Sequence, residues 1–525
     1  MRGMADQPTD VGRDGGRPAS ALGESAAMLT LAFAAVAIPV CAHLIGQPFG
    51  IVFCVAISAL VANFVPSAVP LTLLVGFLFQ NLCIALVSPW IAGPDEFATI
   101  RGYNFLSTVV IWAVMSAAFW PGQGTASPAM RRLMLATTGV LGLIALYFVY
   151  GAATNAGHAA IYVRNVATAF FVFQACLIAA SRAPGPLTRG FPAVAAIVLL
   201  YGYAELLARS ELFDLVNAET YFGFSMRNQI ESGIWLKELR ETGRVIRGLS
   251  DMMTVDLFNS ALLSDLKIRL YRLAGPNFHA ISYAYALAVI GLFRLSAGRP
   301  LYTLAALPLL IVIGSKGAIG LSLFGGAALV AFAATRSRLV LPALVIWLGT
   351  FSLAAILFGL SSGDYHVVGL FGGINGFLKN PLGRGLGVGG NLSINMANID
   401  WSKSQALGQT DLAVESAVGT LLYQMGFAGL IVWLTPVWIA LTAFRAARLT
   451  GGLTLAASCF AILVVASNGL LQEEALFAPL ALGACMVFAG LALGETMRSG
   501  QAEPLTEIRA SRPPRPRLFA AESRT

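Results

Sequence analysis

The run "LVLPALVIWLGTFSLAAILFG" (339–359) holds 21 residues without one charged side chain, and Arg336 and Arg338 stand just before it. At a helical rise of about 1.5 Å per residue, such a run is as long as the hydrocarbon layer of a bilayer is thick. Its apolar residues are continuous and do not alternate, which excludes an outer-membrane β-barrel strand. Comparable runs recur near 28–46, 49–64, 70–90, 105–120, 133–150, 162–180, 191–207, 277–294, 301–314, 318–334, 416–443, 453–468 and 476–494. The expected fold is therefore an all-α polytopic integral membrane protein with about 14 transmembrane helices.

Composition agrees. Of 525 residues, 57% are hydrophobic and 11% charged, with a mean hydropathy of +0.75. A soluble domain carries roughly 25% charged residues, so this chain lacks the charge to cover a soluble surface. The formal charge of +8 is the mark of basic cytoplasmic loops rather than of nucleic-acid binding. Cys41, Cys54, Cys83, Cys176, Cys459 and Cys485 all fall inside apolar runs, so no disulfide framework or clustered metal site is expected.

Sidedness follows from short loops, where Lys and Arg mark the cytoplasm. Basic residues gather at Arg131–Arg132, Arg182 to Arg189, Arg294 to Arg299, Arg336 to Arg338 and Arg445 to Arg448. The loops between them, 92–104, 151–161 and 468–475, are poor in basic residues. The alternation places both termini in the cytoplasm. It divides the chain into a cytoplasmic tail (1–26), N-terminal membrane helices (27–207), a long periplasmic segment (208–276), further membrane helices (277–359), a large periplasmic loop (360–415), C-terminal membrane helices (416–495) and a disordered cytoplasmic tail (496–525). Within 208–276, "DMMTVDLFNSALLSDLKIRLYRL" (251–273) has apolar residues at roughly helical spacing. A helix lying on the outer interface and a helix packed on the protein both remain open. No internal repeat of the kind found in secondary transporters is visible.

Charges at a membrane edge are costly and mark function by default. Sidedness puts Arg272, Asn277 and His279 at the outer end of one span, Lys316 in a tight outer turn, Arg384 in the large loop, and Glu415 at the opening of another span. Lys316 is either a snorkelling lysine or an anion-binding cation. Glu415 is either a helix-dipole partner or a general base acting on an acceptor hydroxyl. Asp364 and His366 form a weak metal signal, short of a ligand set. The loop "NPLGRGLGVGGN" (380–391) carries a Gly-x-Gly-x-x-Gly spacing. It has neither the strand before it nor the helix after it that a dinucleotide fingerprint requires. What remains is a set of glycines that let backbone approach an anion, with Arg384 and Asn380 beside them. Several cations and one carboxylate at an outer lipid face suit an amphiphile with an anionic head, such as a lipid diphosphate.

Four segments resemble, in order, those of the bacterial O-antigen polymerase and O-antigen ligase superfamily. "RLAGPNFHAISYAYAL" (272–287) is similar to the family's Arg…Gly…Asn-Pro-Asn segment. "GSKGAIGL" (314–321) is similar to its Ser-Arg-Gly-Ala turn, with Lys316 in place of the arginine. "FLKNPLGRGLGVGGN" (377–391) is similar to its Asn-Pro-Leu-x-Gly-x-Gly segment. "ESAVGTLLYQMGFAGLIVWL" (415–434) is similar to its loop-to-span segment, with Glu415 eleven positions before Gly426. Glu415 stands where ligases carry a histidine, which resembles the polymerase branch.

The resemblance implies a membrane-embedded glycosyltransferase that polymerises undecaprenyl-diphosphate-linked oligosaccharide repeat units, in O-antigen or exopolysaccharide biosynthesis. It implies work at the periplasmic face of the bacterial inner membrane, without nucleotide sugar, cofactor or metal. Glu415 and Lys316 take the catalytic roles, and Arg272, Asn277, His279, Arg384 and Asn380 the substrate-binding ones. Trp401 and Tyr365 are candidate sugar platforms, and a chain-length regulator protein is a candidate partner beside membrane lipids. The alternatives are an O-antigen ligase acting on lipid A core, and a flippase or transporter of lipid-linked oligosaccharide without chemistry.

Overall fold

The computed structural model describes residues 18–183, 187–231, 253–256, 268–393, 396 and 399–498. Helices dominate. In chain order they begin with α1 (Pro18–His43), α2 (Gln47–Phe64), α3 (Val69–Val87), α4 (Pro94–Arg101), α5 (Tyr103–Phe119), α6 (Pro128–Arg182), α7 (Leu187–Leu207), α8 (Arg209–Leu215) and α9 (Ala218–Glu231). After a short strand pair come α10 (Ala280–Ser296), α11 (Pro300–Ile313), α12 (Lys316–Thr335), α13 (Val340–Ser362), α14 (Tyr365–Lys379) and α15 (Trp401–Leu407). The last are α16 (Ala417–Met425), α17 (Phe427–Thr450), α18 (Leu453–Asn468), α19 (Glu473–Phe477) and α20 (Pro479–Arg498).

Among the described residues, ten helices are long and apolar enough to cross a membrane, and α10, α11 and α18 are shorter apolar helices. Outward-facing Leu, Ile, Val and Trp side chains on helices such as α2 and α13 are exposed, as expected where lipid is the solvent. The chain has the architecture of an α-helical multi-pass membrane protein.

The centre is α20, most of it buried, packed along the second half of α6. Gly490 and Gly494 make this close approach possible. A Cβ on Gly490 would meet the Phe173 carbonyl, and one on Gly494 the Leu177 carbonyl. Lipid supplies no hydrophobic drive between helices, so small residues that bring backbones together carry the packing.

Three sequence expectations change. The 151–161 loop is a break at one residue. Asn155 leaves the helical region (φ −155°, ψ 101°), and its Oδ1 accepts the His158 amide at 3.0 Å, capping the second arm of α6 as an N-cap asparagine does. The run 416–443 is two helices. Gly426 (φ 58°, ψ −132°) separates the short, wholly buried α16 from α17. The expected helix over 251–273 is replaced, where it is described, by an antiparallel pair of β1 (Thr254–Asp256) and β2 (Arg269–Tyr271), with Thr254 opposite Tyr271. Residues 257–267 lie outside the described residues, as do most of the two terminal tails.

Candidate functional site

The segment 272–279 is built around a carboxylate. Glu205 of α7 is fully buried and accepts the Ala274 and Gly275 amides at 2.7 and 2.8 Å. Two charge-assisted bonds satisfy an acid that an apolar helix would otherwise not tolerate. Asn81 Nδ2 of α3 adds a bond to the Asn277 carbonyl at 2.7 Å. Thus held, Asn277 and His279 face a recess of about 320 Å³ enclosed by α3, the end of α4, α5, α6 and residues 473–480.

Asn277 is 4% exposed, yet its Oδ1 has no hydrogen-bond partner, while its Nδ2 donates to the His279 carbonyl at 3.3 Å. His279 also lines the recess and caps α10, its Nδ1 accepting the Ser282 amide at 3.2 Å.

The recess also carries residues that sequence reasoning passed over. Arg101 and Arg164 both line the recess, as do Glu473 and Glu474. The signal was present. Both arginines lie on the outer side of the expected topology, where a basic residue breaks the charge pattern just as Lys316 does. Glu473 is the hub. Tyr162 Oη donates to its Oε1 at 2.7 Å, and the Asn391 amide to its Oε2 at 2.9 Å. Burial raises its pKa to about 8, against the pull of both bonds.

Asn391 connects this hub to Glu415, whose amide donates to Asn391 Oδ1 at 2.7 Å. Glu415 has φ 60°, and across it the Ser416 amide donates to the Val414 carbonyl at 2.7 Å. This is a three-residue turn of the rare, strained hand, which costs a non-glycine residue about 1–3 kcal/mol. The capping of α16 is done by Ser416, whose Oγ accepts the Gly419 amide. The Glu415 carboxylate is thereby left for other work. It faces His366, with Oε2 3.4 Å from Nδ1. Burial raises its pKa, and the His366 charge opposes that shift.

Arg272 and the Lys316 turn are neighbours. Arg272 Nε donates to the Ile313 carbonyl at 3.1 Å. Burial lowers the Arg272 pKa, and the negative charge of Glu474 counters it. The turn itself docks on the end of α18, where Asn468 Nδ2 donates to the Gly317 carbonyl at 2.9 Å and to Tyr285 Oη at 3.1 Å. Asn277 and His279 therefore line the recess, while Arg272, Lys316 and Glu415 are not among its lining residues; Glu415 is tied to it through Asn391.

Arg384 and Asn380 do not join them. The Arg384 guanidinium lies 4.2 Å from the Tyr423 ring centroid, and its Nη1 donates to the Gly376 carbonyl at 3.0 Å. Asn380 Nδ2 closes its own turn on the Gly383 carbonyl at 2.9 Å. Four amides of the glycine loop are also spent internally. Those of Arg384 and Gly385 donate to the Gln424 carbonyl, that of Gly387 to the Gln424 side chain, and that of Gly390 to the Ala413 carbonyl. A cradle whose donors are occupied holds no phosphate. The glycines serve contact instead. Gly385 (φ 97°) and Gly387 (φ 86°) press against the backbone of α6 at Gly151 and Ala159.

Asp364 caps α14, accepting the His366 amide at 3.0 Å. Tyr365 packs edge-on against Trp401, centroids 4.8 Å apart, beside the His366–Glu415 pair. Among the described residues, no three His, Cys, Asp or Glu side chains gather as a metal site. No protein-family model and no curated protein matches this chain.

Proposed function

We propose that the protein is a polymerase of polyprenyl-diphosphate-linked oligosaccharide repeat units, acting at the periplasmic face of a bacterial inner membrane. The observation that carries this reading is Glu415: a carboxylate on a strained turn, paired with His366 and tied through Asn391 to a polar recess. Strain of this kind concentrates where function requires it. Counting the two arms of α6 separately, and α10, α11 and α18 as crossings beside the ten long helices, would give the fourteen spans of the expected topology, which supports this reading. In that topology the recess opens outward.

In the proposed reaction an acceptor sugar hydroxyl attacks the anomeric carbon of the donor glycan. The new C–O bond forms as the bond from that carbon to the diphosphate oxygen breaks. The lipid diphosphate leaves with the bonding electrons, and the hydroxyl proton passes to the Glu415 carboxylate. Arg272 and Lys316 offset the charge gathering on the departing diphosphate. The His366 contact works against burial and favours the ionised carboxylate before the transfer.

The test is purified protein in nanodiscs supplied with lipid-linked repeat units. A ladder of lengthened products is expected. Movement of the lipid across vesicles without extension would replace the reading with a transporter. Transfer to lipid A core alone would replace it with a ligase.

A further inference from the structure

Arg101 and Arg164 are not explained by the chemistry at Glu415. Both line the recess, which Arg272 and Lys316 do not. Neither meets a carboxylate at ion-pair distance among the described residues. Arg164 Nε is held by Asn165 Oδ1 at 3.2 Å, and Arg101 lies over the Phe97 ring at 5.5 Å. Both guanidiniums line one recess without a carboxylate partner among the described residues. Like charges held together at a cavity wall are unfavourable until an anion joins them.

The acids in the same recess do not supply that anion. Glu474 acts on Arg272 and His279. Glu473 is already engaged on both oxygens, by the Tyr162 hydroxyl and the Asn391 amide.

A second observation narrows the ligand. The buried Asn277 Oδ1 is an acceptor without a donor, its orientation fixed by the bond from Nδ2 to His279. An ionised phosphate or carboxylate has no hydrogen to give it; a hydroxyl does. The lining adds the amides of Asn81, Asn104, Asn165 and Asn391, groups that exchange bonds with hydroxyls. The volume, about 320 Å³, sits at the low end of the roughly 300–1,000 Å³ of small-molecule sites. It suits one or two sugar rings and not a lipid chain.

We propose that the Arg101–Arg164 wall is a seat for an acidic group carried on a sugar, so that the recess selects an anionic saccharide whose hydroxyls bond Asn277 and its neighbouring amides. This rests on the reading of the substrate as a glycan and adds that the glycan is acidic. The planar fork of an arginine matches a carboxylate in two parallel bonds, which makes a uronate-type sugar the first candidate and a sugar phosphate the second.

The full chain in phosphatidylcholine nanodiscs is titrated with a glucuronate-containing disaccharide, with its carboxyl-reduced neutral form, with a sugar phosphate, and with inorganic pyrophosphate. Wild type is expected to prefer the uronate over the neutral form by about tenfold to a hundredfold, the value of a charge-assisted pair. The Arg101→Gln/Arg164→Gln double variant should lose that preference, and Arg101→Lys/Arg164→Lys should recover part of it. Asn277→Ala should weaken both sugars alike. Equal binding of the two disaccharides by wild type overturns the proposal, as does an unchanged preference in the folded glutamine variant. Pyrophosphate binding more tightly than either sugar acid, and lost in the same variant, also overturns it in favour of a bare phosphate seat. A preference for the uronate in a protein that extends no lipid-linked repeat would keep the seat and remove the polymerase. Extension of neutral repeats, undisturbed in the double variant, would do the reverse.

Discussion

His366 Nδ1 lies 3.4 Å from Glu415 Oε2, and the same ring nitrogen is 3.3 Å from the Glu415 carbonyl. Burial favours the neutral acid at Glu415, and His366 favours the anion. A general base works only when ionised, so the rate falls as pH drops through the Glu415 pKa. Because that pKa is raised, the acid limb of the kcat profile should lie above the ordinary carboxylate range. His366→Ala removes the opposing charge and should move the limb to higher pH still. Glu415→Gln should lower kcat by roughly 10²–10⁴-fold, the scale of general-base catalysis, while the protein still inserts. A flat profile, or wild-type product lengths in Glu415→Gln, would remove the base from this position.

Arg272 and the Lys316 turn are tied through the Ile313 carbonyl and the Gly314 cap that follows it. Their assigned role is to meet charge that develops only as the diphosphate departs. Lys316→Ala should therefore lower kcat by about 10²–10³-fold, as loss of a transition-state donor does, with a smaller change in KM. Lys316→Arg keeps the charge and should retain more activity than Ala. An effect confined to KM would make the lysine a binding group only.

The long apolar helices were legible because bilayer thickness sets a minimum length for an apolar run that crosses it. The break at Asn155 was less so, because a single capping residue replaces a loop. Asn277 and His279 were legible from their place at a span end, and the recess they line depends on Glu205, a contact nearly seventy residues away in sequence. Arg101 and Arg164 were passed over because each stands alone in its segment; only folding sets them on one wall. Arg384 shows the opposite failure. A loop of glycines beside an arginine resembles an anion cradle, but sequence cannot tell whether its amides are free or already bonded to Gln424.

Glu473 should make stability fall with rising pH. Its folded pKa, about 8, is above its unfolded carboxylate value. Between those values the folded state holds a proton that the unfolded state has released, so each step up in pH favours unfolding. The Tm in detergent should decline from the ordinary carboxylate range to about pH 8 and level off beyond it. Glu473→Gln keeps an acceptor for Tyr162 or the Asn391 amide and carries no titrating proton, so its Tm should vary less over the same window. A Glu473→Gln profile parallel to wild type would place the titrating group elsewhere.

Arg384 and Gly385 are adjacent in sequence and should respond in opposite ways to alanine. Arg384→Ala removes one bond to the Gly376 carbonyl and a stack on Tyr423. An exposed cation–π contact is worth about 0.5–1 kcal/mol and a charged hydrogen bond about 1.5–3 kcal/mol. The loss should appear as a lower Tm, with KM for the lipid-linked donor near wild type. Gly385→Ala instead places a Cβ against the Gly151 backbone at a φ of 97°, where neither side can yield. It should misplace the Asn391 end of the loop and lower both Tm and kcat. If Arg384→Ala raised the donor KM at an unchanged Tm, the arginine would be returned to phosphate binding and the glycine loop to the substrate site.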